Sequence, residues 1–179
     1  LKAIGKVGQN RDNQGLSEYS IAASATAIYQ GDPVEMLATG TIGVAAAGDT
    51  LLMGPLTGVF YTDASTSKPT WANHLNASNT ATDIVGFVSD DPYERFEVQA
   101  DGATAAADVG LNADIVYAAG SSPDYVSKVE LDTSDQKAGT AQLRIMGISK
   151  DPSNDTAGSA NVNLVVMINE HFLKGTVGI

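Results

Sequence analysis

The chain contains no cysteine among its 179 residues. That excludes a disulfide framework, a thiol nucleophile and thiolate sites for zinc or iron–sulfur clusters. Basic residues are scarce: ten Lys and Arg stand against 21 Asp and Glu, giving a formal charge of −11 and a pI near 4.3. Nucleic-acid binding rests on neutralising phosphates with Lys and Arg, so this balance excludes nucleic acid as a partner. No apolar run approaches the roughly 18 residues of a membrane span, and no membrane partner is expected. The opening residues, Leu1-Lys2-Ala3-Ile4-Gly5-Lys6, lack the apolar centre of a signal peptide. The missing initiator Met suggests that one or more residues were removed or not included. Enzyme signatures are lacking as well: there is no phosphate-cradling loop, dinucleotide fingerprint or nucleophile elbow. The two histidines, His74 and His171, have no second His or carboxylate at a metal-binding spacing. Asp90-Asp91 and the acidic run 151–155 do not follow the Ca²⁺-loop pattern and read as turns. No catalytic residue, metal ligand or cofactor is therefore assigned, and the chain reads as a non-enzyme.

What is present is the pattern of a mainly β protein. Hydrophobic residues make up 43% of the chain, enough for a core. They fall in short β-branched and aromatic runs bounded by Gly, Pro, Asp and Asn. Strands are expected at 33–37, 41–44, 58–61, 84–88, 96–99, 114–118, 125–131, 143–148 and 162–168. Residues 125, 127, 129 and 131 would share one face, and the continuous run 164–168 reads as buried on both faces. Short helices are conceivable only at 22–27 and 103–107.

A faint internal echo runs through the chain. In each half an Asp-led strand (Asp32, Asp114) is followed by a second strand. A glycine-centred strand (Gly86, Gly147) then leaves through Asp-Pro (Asp91-Pro92, Asp151-Pro152), and a closing strand ends the half. The mid-strand glycines point to a bulge or a close backbone approach. An Asp before Pro can accept a bond from the backbone two residues on. The first copy would be about 21 residues longer, which places an inserted loop near 51–77, containing Pro55, Pro69 and Trp71. The chain divides into an N-terminal arm at 1–20, a first β unit at 21–102 with that loop, and a second at 103–179. The expected architecture is a compact β-sandwich or barrel-like domain, or two related β units, with an extended N-terminal arm.

Charge is distributed unevenly. Lys2, Lys6 and Arg11 fall in the first eleven positions, where there is no acid, and the other 168 residues carry a net −14. A basic arm on an acidic body suits docking on an acidic neighbour, another subunit or a different protein. The apolar C-terminal end, Phe172 to Ile179, is expected to pack on the body or on a neighbour.

The Gly31-Asp32-Pro33-Val34 opening, the "IVGFVSDDP" and "LRIMGISKDP" segments and the Cys-free, Ala/Gly/Thr-rich composition together carry a likeness. Along most of 30–171 the chain resembles the capsid decoration (cement) proteins of tailed bacteriophages. The resemblance implies a virion protein on the outer surface of the capsid, with the major capsid protein as its partner. It also implies a homo-oligomer, with a trimer favoured, and head stabilisation by bridging capsid subunits. No residue is fixed by motif. Contacts are expected from the arm, at Leu1, Lys2, Ile4, Lys6 and Arg11, and from exposed-loop residues Tyr61 and Trp71. The rival reading is a carbohydrate-binding or adhesin-like β module on a virion or cell surface, with Tyr61, Trp71 and Tyr93 as its platform. A third is a hydrolase using a pair of acids.

Overall fold

A computed structural model of the chain describes residues 1–7 and 15–174. It is mainly β, with antiparallel pairing throughout its sheets and helix limited to short 3-10 turns at Ala106–Asp108 and Phe172–Lys174. The strands in chain order are β1 (Lys2–Lys6), β2 (Ser17–Ser20), β3 (Pro33–Met36), β4 (Ile42–Val44), β5 (Leu52–Thr62), β6 (Pro69–Ala72) and β7 (Val85–Val88). They continue with β8 (Glu94–Gln99), β9 (Asn112–Ala113), β10 (Ile115–Val116), β11 (Glu130–Leu131), β12 (Leu143–Ile148) and β13 (Asn163–Ile168). One sheet has the order β2-β7-β5-β3-β4, with β6 also pairing β5; the other runs β1-β8-β13-β12-β9; β10 and β11 form a separate ribbon.

Each sheet has its own core. Ile28, Val34, Ile42, Leu56, Val59 and Val88 fill the first, and Phe96, Leu131, Leu143, Ile145, Leu164 and Val166 fill the second. Burial alternates along β8 and β13, as a sheet with one covered face requires. The run 164–168 is therefore not buried on both faces: Leu164, Val166 and Ile168 face the core, while Val165 and Met167 are half-buried on the other side. The expected strand 125–131 shrinks to Glu130–Leu131, because Tyr125 adopts a φ of 53° that breaks extended pairing. Segment 22–27 is not helical, and 103–107 contributes only to the 3-10 turn.

The loop reading of 51–77 is corrected. Residues 52–62 form the longest strand, and only 63–68 turn before β6 returns along it. The prolines that suggested a loop are accommodated by register. Pro55 lies opposite Pro33, and the bonds between β3 and β5 at this point are carried by their neighbours, Leu56 N–H to Asp32 O at 2.9 Å and Gly31 N–H to Leu56 O at 2.7 Å. Neither missing proline N–H breaks that ladder.

The two glycines of the echo do different work. Gly147 sits at a bulge in the β12–β13 pairing. Gly86 lets three core side chains close on the strand: a Cβ there would meet Ile21, Ile42 and Leu56 at 2.9–3.2 Å. Both Asp-Pro exits form the expected turn, with Asp91 Oδ1 accepting from Tyr93 N–H at 2.8 Å and Asp151 Oδ1 from Ser153 N–H at 3.0 Å. The first exit switches sheets. β7 ends in the first sheet, and β8 pairs with β13 and β1 in the second. Gln142, fully buried, ties the halves again: its Nε2 donates to Ala46 O and Asp49 O at 2.7 and 2.9 Å, and its Oε1 accepts from Ile115 N–H at 3.0 Å.

Candidate interaction surfaces

The N-terminal segment is extended, as expected, but its described parts are paired. β1 is the terminal strand of the second sheet, aligned antiparallel to β8 with Lys2 opposite Glu97 and Lys6 opposite Glu94. Lys2 thus stands opposite an acid of its own chain. Leu1 packs against the second core, and its N donates to Gly31 O at 2.6 Å. Arg11 lies outside the described residues. Lys2, Ala3 and Ile4 are exposed in succession, so β1 presents both of its faces to solvent. The aliphatic side chains of Ile4, Val7 and Leu16 are 44%, 43% and 40% exposed. β1 is held by its ladder bonds to β8 far more than by burial.

Between β1, β8 and the segment 126–130 runs a groove of about 580 Å³, bordered by Lys2, Gln30, Val98, Ser127 and Lys128. Nearby, the carboxylate of Asp32 is fully buried and accepts from Tyr29 N–H at 2.8 Å. Burial raises its pKa, against the pull of the Ser127 hydroxyl and the Tyr29 N–H. Tyr117 is pushed up to about 12 by burial and then by the charge of Asp32.

The proposed platform of Tyr61, Trp71 and Tyr93 does not assemble. Phe60 pairs with Trp71 and Tyr61 with Thr70, so Tyr61 and Trp71 project from opposite faces of the sheet. Tyr61 packs on the first core; Tyr93 stands in the turn before β8, with the Lys174 ammonium 5.0 Å from its ring centre. Trp71 instead gathers a different set. Cross-strand pairs place Phe60, Val85, Phe87, Gly58, Ser20 and Glu18 on its face of the sheet. The Trp71 ring lies against Phe87, with centroids 4.8 Å apart and planes tilted by 50°. It also lies across Gly58, where a Cβ would come within 2.7 Å of Cζ2. Trp71 remains 56% exposed and Phe60 40% exposed. The signal for Phe60 was in the alternation of Gly58-Val59-Phe60-Tyr61, whose buried partner is Val59.

A second aromatic group had no sequence signal. His74 stacks on Tyr125 with centroids 3.9 Å apart and planes within 1°, and Tyr29 lies beside both rings at 6.3 and 6.4 Å. These residues come from three separate loops, and the stack joins the two halves. His171 is buried: its Nδ1 accepts from Leu173 N–H at 3.0 Å, so the ring proton sits on Nε2. Burial, and then the Lys174 charge, lower its pKa to about 4. Asp90 accepts from the Tyr19 hydroxyl at 2.6 Å. Among the described residues, no group of three His, Asp or Glu is arranged to hold a metal ion, and no helix is long and apolar enough to cross a membrane.

Compared with known proteins, the chain matches no family model, no curated protein and no solved structure.

Proposed function

We propose that this chain is a virion structural protein that binds the outer surface of an assembled tailed-phage capsid and stabilises the head by bridging capsid subunits. Its partner is the major capsid protein, it assembles as a homo-oligomer with a trimer favoured, and it carries out no catalysis. The observation that carries this reading is β1. A paired strand at a sheet edge, exposed on both faces and carrying Ile4 and Val7 in water, has the form of a surface that another protein covers. Because Lys2 already stands opposite Glu97, the contact rests on these aliphatic side chains and the strand edge more than on net charge. Many copies, each spanning more than one subunit, would oblige an expanding head to break many contacts at once.

The contact is tested by the double substitution Ile4→Glu, Val7→Glu, which leaves the backbone ladder in place. Wild-type protein should co-sediment with expanded empty heads of the source phage. The variant should lose at least about tenfold in affinity, the cost of burying a charge at an apolar contact. Equal occupancy by both proteins would remove β1 from the interface.

A further inference from the structure

The outward face of the first sheet holds Trp71, one of the expected capsid contacts, but takes no part in the β1 contact proposed above. It carries three aromatic rings, Phe60, Trp71 and Phe87, with Val85 between them. Two features separate this face from incidental apolar surface. Trp71 lies down on the sheet, and only glycine at position 58 leaves room for it, since any Cβ would collide with the indole at 2.7 Å. Even so, the ring stays more than half exposed, so lying down has not buried it. The sheet backs one side of the indole, and the other faces water.

The surroundings select the occupant. Two carboxylates border the rings, Glu18 opposite Phe87 and Asp83, which accepts from Thr62 N–H at 3.0 Å; they repel anions and offer acceptors to hydroxyls. Ser20 adds a hydroxyl beside Val85 on the same face. A neutral ligand with a flat apolar face and a rim of hydroxyls matches such a surface. The C–H face of a sugar ring packs on the exposed aromatic face while its hydroxyls reach the polar border.

We infer that the Phe60–Trp71–Phe87 face is a binding platform for neutral saccharide, seated on Trp71 and bordered by Glu18 and Ser20. The site is separate from β1, and its failure would leave the capsid reading standing.

Trp71 is the only tryptophan, so intrinsic fluorescence reports on this face alone. The probes are soluble neutral hexasaccharides of glucose, mannose and N-acetylglucosamine, titrated while acrylamide quenching of Trp71 is measured. At least one should lower the quenching constant by about twofold or more, as expected when one ring face is covered. Gly58→Ala, which lifts the indole while keeping it, and Phe87→Leu, which keeps the apolar volume, should each abolish that protection. If Gly58→Ala fails to fold, as judged by circular dichroism, Phe87→Leu carries the test. Unchanged quenching with every saccharide would overturn the assignment. So would protection that survives both substitutions, or protection that follows protein concentration alone, which would make the face a self-contact.

Discussion

At the scale of single residues, His171 is a buried contributor to the acid response of the fold. Its ring is buried and neutral, and its pKa is lowered from 6.5 to about 4 by burial and then by Lys174, against the Met53 backbone, Asp90 and Asp91. A histidine depressed in the folded state contributes stability that is complete above the unfolded value and lost as pH falls through the folded one. The window is therefore pH 6.5 down to about 4. Asp32, Glu35 and Glu170 work in the opposite direction, since burial raises each of them and protonation on acidification favours the folded form. The substitution His171→Asn keeps an acceptor near the position of Nδ1 and removes the titration. It should cost about 1–2 kcal/mol at neutral pH through lost packing. It should also cut the stability lost between neutral pH and roughly pH 4.5 by about 2–3 kcal/mol, measured by urea unfolding at each pH. An unchanged pH slope would place the acid sensitivity elsewhere.

At the scale of elements, the strand exchange governs stability. β7 and β8 are consecutive, joined by the Asp91-Pro92 turn, yet they belong to different sheets, and Leu52 at the head of β5 bonds Glu170 O beyond β13 at 3.0 Å. The second core draws on both halves, since Phe96 and Val98 of β8, with Leu52 and Ala45, sit in it, and Phe172 packs on the first core from the far end of the chain. Unfolding should therefore be one transition, coincident by far-ultraviolet circular dichroism and by Trp71 fluorescence, although Trp71 belongs to the first sheet only. Two separated transitions would contradict this coupling. Several elements were legible in the sequence. β3, β4, β7, β12 and β13 fall within a residue or two of the β-branched runs, because alternation and Gly or Asp-Pro punctuation mark strands locally. The second half of β5 was expected at 58–61, but its first half was hidden because Gly54 and Pro55 imitate loop residues; the pairing with β3 accommodates Pro55, and the close approach of Ser89 O requires Gly54. The pairing of β8 across halves and the stack of Tyr29, His74 and Tyr125 depend on contacts between residues distant in sequence, which no local pattern encodes. Of the candidate residues, Trp71 is exposed beside Phe60 and Phe87, which local pattern does not single out, while the strand's alternation sends Tyr61 to the core side.

At the scale of the whole molecule, two surfaces stand out on an acidic β body. One is the edge strand β1, exposed on both faces; the other is the aromatic face of the first sheet. Of the basic residues near the start of the chain, Lys2 stands opposite Glu97 of β8. The apolar side chains of β1 are what remain to be covered, and a capsid lattice would cover them many times over. The proposed capsid role is tested most directly by the amount of this protein on purified heads of a tailed phage that encodes it, measured by quantitative mass spectrometry against the major capsid protein. The account predicts a fixed ratio to capsid subunits on expanded heads, with the protein accessible to protease added from outside. Its absence from heads, or a trace level with no fixed ratio, would contradict it.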